Sequence, residues 1–178
     1  MNRFHYLFHF IAYYVAWAAG IEFAARGLGW LSTLVVMGVV LLQIFWQFTV
    51  RKQTHGLFSL ILIFIIMGTF IDTLFVRNGF IIFASNPFAP YFTPPWMISI
   101  WVSFAVLFFS VLGSLFNRYF LLGLLAFFGF SLAYTVGGFM GAATFPHGYL
   151  SCFVVGAIWA ICLPLCLFVY QRILKYNE

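Results

Sequence analysis

A chain of 178 residues that is 65% hydrophobic and 6% charged has too few polar side chains to cover a water-facing surface. Its net charge of +5 comes from 8 Lys+Arg against 3 Asp+Glu, and these cations stand singly or in one pair between apolar runs. That pattern excludes nucleic-acid binding and reads as topology signals and attraction to anionic headgroups.

Six apolar runs, each close to the ~20 residues a helix needs to cross a bilayer, predict an all-α integral membrane bundle forming one transmembrane domain over 1–178. The first run covers about 4–25 and ends at Arg26-Gly27 and Gly29. A cleaved signal peptide is the alternative, with Arg3 as its basic start and Ala16-Trp17-Ala18 as a cleavage-like site. However, His9, Tyr13, Tyr14 and Trp17 interrupt the run and it continues past Gly20, so a retained span is expected. The second run, about 28–50, ends at Arg51-Lys52-Gln53 with His55-Gly56. The third, about 57–75, carries Asp72 and is followed by an aromatic loop, 77–95, which is uncharged from Gly79 to Pro95 beyond Arg77 and rich in Phe and Pro. Pro94-Pro95 opens the fourth, about 96–115, and Asn117-Arg118 separates it from the fifth, about 119–140. Phe145-Pro146-His147-Gly148 precedes the sixth, about 149–170, which holds Cys152, Cys162 and Cys166. Their spacing gives no CxxC, and an odd count inside an apolar run reads as helix packing.

Cation placement predicts orientation. With the N-terminus cytoplasmic, that side receives Arg3, Arg51, Lys52, Arg118, Arg172 and Lys175, while the far side receives Arg26 and Arg77. Both termini are therefore expected inside. Trp30, Tyr91, Trp96 and Tyr149 then fall near the outer boundary, as an interfacial aromatic belt would. Gly137 and Gly141 form a GxxxG in the fifth run, where helices can approach closely.

A carboxylate in hydrocarbon costs on the order of 2.5–3.5 kcal/mol on insertion scales, so Asp72 needs a partner or a purpose. The predicted topology brings Glu22 and Asp72 to similar depth. Glu22, Asp72, Arg77, Trp96, Trp101, Tyr134 and His147 could then converge beneath the loop between the third and fourth runs. There Asp72, with Glu22, is the candidate catalytic pair, one carboxyl protonated beside one ionised. Arg77, Trp96, Trp101, Tyr134 and His147 are the candidate substrate-binding residues, and the aromatic loop could cover an apolar chain. A structural account stands beside this one. Glu22 and Arg26 make an i,i+4 ion pair; Asp72 pairs with Arg77 or accepts hydrogen bonds from Thr69, Thr73 or a neighbouring helix; Arg77 anchors at the interface; His147 faces water.

His5 and His9 have helical i,i+4 spacing, yet four histidines spread over the chain do not make a metal site, and none is expected. Gln43 and Gln47 are expected to hydrogen-bond between helices. GxSxG, HExxH, Walker and GxGxxG motifs do not occur, so no cofactor is expected either.

Trp17, Asp72-Thr73-Leu74, Pro95-Trp96-Met97, Trp101-Val102-Ser103-Phe104 and Leu132-Ala133-Tyr134 with Gly137, Gly141 and Ala142 together resemble the bacterial inner-membrane proteins grouped as domain-of-unknown-function family 2878. The resemblance runs from about residue 8 to residue 168. It implies a bacterial inner-membrane location and a helical fold but no reaction. Members similar to this chain often lie beside genes for fatty-acid-modifying enzymes, which points toward lipid metabolism. Three functions follow as expectations: binding or modification of a lipid near the outer leaflet, a scaffold for other membrane enzymes, or a small proton-coupled transporter. Membrane lipids and other membrane proteins are the expected partners.

Overall fold

The computed structural model describes residues 3–52 and 54–176; Gln53, in the predicted break after the second run, lies outside the described residues. Six α-helices make up most of it: α1 (Arg3–Ala25), α2 (Gly29–Trp46), α3 (Leu57–Arg77), α4 (Pro95–Val111), α5 (Tyr119–Phe139) and α6 (Tyr149–Tyr176). A π-helical turn, Gln47–Arg51, continues α2, and a 3-10 turn, Gly113–Leu115, follows α4. Two short strands, β1 (Ile82–Phe83) and β2 (Ala143–Thr144), pair antiparallel with Ile82 opposite Thr144 and Phe83 opposite Ala143.

The distribution of apolar side chains is that of a protein in lipid. On α3, Phe58, Leu62, Ile66 and Phe70 recur every fourth residue and are all more than half exposed. The opposite face of the same helix buries Leu60, Phe64, Gly68, Ile71, Asp72 and Phe75. A ridge of four large exposed apolar residues is untenable in water and ordinary against acyl chains. Counting the π-helical turn as part of α2, all the α-helices except α4 are long and apolar enough to cross a membrane. This is a membrane protein. The remaining helix, α4, has 17 residues and is buried along most of its length.

Two structural units meet in the middle of the bundle. α4 packs directly on α1, α2 and α3, while α5 and α6 form a tight antiparallel hairpin. Glycine makes that hairpin tight: a Cβ on Gly123 would lie 2.8 Å from the Ala160 carbonyl oxygen, and one on Gly156 would lie 2.5 Å from that of Phe127. The GxxxG glycines face α1 instead: a Cβ on Gly137 would lie 3.8 Å from Ile21 Cδ1 and one on Gly141 3.8 Å from Ala25 Cβ. α5 ends at Phe139, and Gly141, at φ 84°, sits beyond it in the left-handed turn that closes the helix. Between α4 and the hairpin, large rings fill the space: Trp101 stacks on Trp159 with centroids 4.4 Å apart, Trp159 stacks on Phe130 at 4.8 Å, and Phe104 meets Phe130 at 5.5 Å.

The elements depart from the sequence boundaries in three places. The fourth helix stops at Val111 rather than near 115, because Gly113 and Asn117 break it into a 3-10 turn. The sixth runs on to Tyr176 despite Pro164 in its interior. The long loop 79–95 is not a free cover. Its β1 strand is clamped to β2, Ala84 N–H donates to the Ala142 carbonyl at 2.8 Å, and Ser85 Oγ donates to the Ala24 carbonyl at 2.8 Å. Cys152, Cys162 and Cys166 are free thiols packed in α6.

Candidate functional site

Asp72 is fully buried on the inner face of α3, five residues before the helix ends. Its carboxylate is held from two other helices. Trp101 on α4 donates its indole N–H to Oδ2 at 2.7 Å, and Tyr134 on α5 donates its hydroxyl to Oδ1 at 2.5 Å. Hydrogen bonds to a charged acceptor contribute about 1.5–3 kcal/mol each, enough for two of them to offset the cost of placing a carboxylate at this depth. The geometry depends on Gly68, one turn earlier on the same face. A Cβ there would lie 2.5 Å from the Trp101 ring, so only glycine lets the indole lie flat enough on α3 to reach Asp72.

Both donors also line a cavity. A void of about 50 Å³ is bounded by Trp101, Tyr134, Trp17, Trp96, Phe83 and Phe130, among others. It is large enough for a small group and almost wholly apolar. Trp96 and Phe83 form its cover, in edge contact at 5.6 Å, and Trp96 Nε1 donates to the Ala84 carbonyl at 3.0 Å. The cavity adjoins a groove of about 470 Å³ between α1, α4 and α5, with which it shares Tyr13, Trp17, Phe104, Phe130 and Ala133. The groove's rim carries Phe10, Tyr14, Leu125 and Leu132, each close to half exposed or more, so it opens sideways from the bundle. Its volume lies within the ~300–1,000 Å³ typical of small-molecule sites.

The profile of the family described as "Protein of unknown function (DUF2878)" matches residues 6–165, which include every residue of this site. The chain belongs to the DUF2878 family. No curated protein and no solved structure matches it. Membership fixes what kind of protein this is without naming a ligand or a reaction.

In this DUF2878 protein the sequence-predicted residues separate into two sets. Asp72, Trp101 and Tyr134 come together, and Trp96 lines the adjoining cavity. Glu22 does not join them: it is bound to Arg26, whose Nε donates to Oε1 at 2.7 Å on the protein surface. The predicted carboxylate pair is therefore replaced by an acid held by two neutral donors. Arg77 is exposed at the end of α3, and His147 is exposed in the loop before α6 against the Phe80 ring at 5.2 Å. Neither lines the cavity. Trp96, expected in the interfacial belt, is buried, whereas Trp30, Tyr91 and Tyr149 are exposed as a belt requires. Thr73 Oγ1 accepts from the Thr93 N–H at 3.3 Å instead of serving Asp72.

Gly68, Phe83, Phe130 and Trp159 also build the site, beyond the residues the sequence singles out. Gly68 had a readable signal, since it precedes Asp72 by one helical turn. The three aromatic residues sit among 26 Phe and 6 Trp in the chain, where no single one stands out.

At the opposite end of the bundle, Gln43 Nε2 donates to the His9 carbonyl at 3.1 Å and lies 3.3 Å from His9 Nδ1. Gln47 Nε2 donates to Ser110 Oγ at 2.5 Å. These are the interhelical bonds expected of the two glutamines. Among the described residues no three His, Cys, Asp or Glu side chains are grouped to hold a metal ion.

Proposed function

We propose that this DUF2878 chain is a six-span protein of the bacterial inner membrane, with both termini cytoplasmic, that binds an apolar chain such as a lipid tail in the α1/α4/α5 groove. The observation that carries this reading is the continuity of a sideways-opening apolar groove with a small cavity whose wall holds a buried Tyr134–Asp72 hydrogen bond. Lipid would enter between α1 and α5, lay its chain along Phe104, Phe130 and Ala133, and place its polar end under the Trp96–Phe83 cover near the outer leaflet. Of the Tyr134–Asp72 pair, Tyr134 is the member that lines the cavity. A proton passed to or from a bound molecule would therefore move through the Tyr134 hydroxyl, with Asp72 behind it as the acceptor that fixes its direction.

Six against two in the distribution of Lys and Arg between the bundle's ends supports the orientation. The 3-10 turn Gly113–Leu115 extends the short α4 and so supports a sixth span. Reporter fusions in 79–95 and 113–118 should fall on opposite sides of the membrane.

Gly129 provides the decisive test. It lines the groove, and a Cβ placed on it meets nothing within 4 Å, so Gly129→Phe would plug the groove without disturbing a neighbour. Gly38, exposed on α2 with equally open surroundings and outside the groove, is the control. Lipid retained by the purified protein should fall in Gly129→Phe and persist in Gly38→Phe. Equal retention in both would remove the groove from the account.

A further inference from the structure

The end of the bundle away from Asp72 holds a second cavity, of about 500 Å³, with a different character. Its wall includes His5, Gln47, Arg51, Ser110 and Ser114. The π-helical turn at the end of α2 supplies both Gln47 and Arg51, and such turns recur at functional sites. Gln47 Nε2 donates to Ser110 Oγ, which leaves the serine's own proton to be given to a further acceptor. Arg51 brings a guanidinium that offers only donors, in a planar fork suited to phosphate oxygens. Ser114 adds an exposed hydroxyl at the rim. Among the described residues no carboxylate lines the cavity; Glu22 and Asp72 are held at the opposite end of the bundle.

The setting is also cationic. Helices alternate in direction, so this end collects Arg3, Arg51, Lys52, Arg118, Arg172 and Lys175. Cross-bundle contacts fix that alignment: Gln43 with His9, Gln47 with Ser110, and Tyr119 Oη donating to Gln171 Oε1 at 2.6 Å. A donor-lined hollow at the basic end of a membrane bundle fits an anion with several acceptor oxygens.

We propose that this cavity binds a phosphate group, presented by a lipid headgroup or as free phosphate, with Arg51 as its principal contact and Ser110 and Ser114 as secondary donors. The site is separate from the α1/α4/α5 groove and does not depend on what the groove binds.

The test uses the full chain in uncharged maltoside micelles, with inorganic phosphate and short-chain phosphatidic acid as separate probes, read by thermal shift and native mass spectrometry. At least one probe should bind. Arg51→Gln should weaken it about tenfold or more, the loss expected for a charge-assisted hydrogen bond. Ser114→Glu, at an exposed position that folding tolerates, should do the same by repulsion and stands in for Arg51→Gln if that variant misfolds. Lys52→Gln, an exposed neighbour that adds only to the general positive setting and does not line the cavity, should lose far less than either cavity variant. Binding of phosphatidic acid alone assigns the site to a headgroup; comparable binding of inorganic phosphate assigns it to the free anion. The proposal fails if neither probe binds, if folded Arg51→Gln binds normally, if Ser114→Glu binds normally where Arg51→Gln misfolds, or if Lys52→Gln loses as much as they do.

Discussion

The Trp101 indole lies directly over Gly68, so close that a Cβ on the glycine would stand 2.5 Å from the ring. The same indole donates to Asp72, one turn along the same helix. A rigid bicyclic ring cannot retreat as a flexible side-chain tip could, and behind it stand Trp159 and Phe130 in a stack. Gly68→Ala must therefore push α3 and α4 apart or turn Trp101 away from Asp72. Overpacking of this kind costs about 1–3 kcal/mol, and a lengthened Trp101–Asp72 bond would add to it. A lowered Tm in detergent, together with a changed tryptophan emission, is the expected result. A Tm equal to the parent's would mean that the ring has room the structure does not show.

The Asp72 site makes a prediction that distinguishes hydrogen bonding from charge. Asp72→Asn keeps one acceptor for the Trp101 N–H and turns a donor toward Tyr134, whose hydroxyl can accept in place of donating. Asp72→Leu leaves both groups without a partner, at about 1–3 kcal/mol each. The leucine variant should consequently be much less stable than the asparagine variant, as measured by thermal unfolding in micelles. Tyr134→Phe should fall between them, since it strips one of two bonds from a buried carboxylate. If the asparagine protein is as unstable as the leucine protein, the negative charge itself has a partner beyond Trp101 and Tyr134.

These contacts show where the sequence stops being informative. The apolar runs and their Gly, Pro and Arg breaks locate six helices to within a few residues, because lipid imposes one period and one minimum length on every span. Asp72 was conspicuous for the same reason: a charge in an apolar run has to be explained. What took its charge was not visible. Arg77 is near in sequence but lies exposed as the last residue of the helix, while the actual donors lie 29 and 62 residues away. The predicted topology gives Glu22 and Asp72 similar depth, yet depth leaves azimuth undetermined, and each faces different neighbours. The two-residue strands are too short to carry any alternation, so the β1–β2 clamp had no pattern to announce it.

Glu22 should be close to dispensable for stability. Its ion pair with Arg26 is an i,i+4 contact with both side chains substantially exposed. Such pairs contribute about 0.3–0.5 kcal/mol and are weakened by salt. Glu22→Gln is expected to leave Tm and groove-bound lipid nearly unchanged. A large loss in either would put Glu22 back beside Asp72 as a member of the site.

Trp96 governs the cover of the cavity through a single bond. Its indole N–H holds the Ala84 carbonyl at 3.0 Å, and the neighbouring amide of Ala84 is bonded in turn to Ala142 at 2.8 Å. The indole thus pins the loop of 79–95 at the point where that loop is stitched to the turn after α5. Trp96→Phe keeps most of the apolar wall, including an edge contact with Phe83, but removes the donor. The loss should be about 1 kcal/mol, small against global stability and concentrated on the clamp. Amide exchange at Ala84 should accelerate while that of α3 and α4 stays at the parent rate. If the cover gates entry of a chain's polar end, lipid release from the groove should quicken in the same variant. Unchanged exchange at Ala84 would show that the strand pairing, and not the tryptophan, holds the cover down.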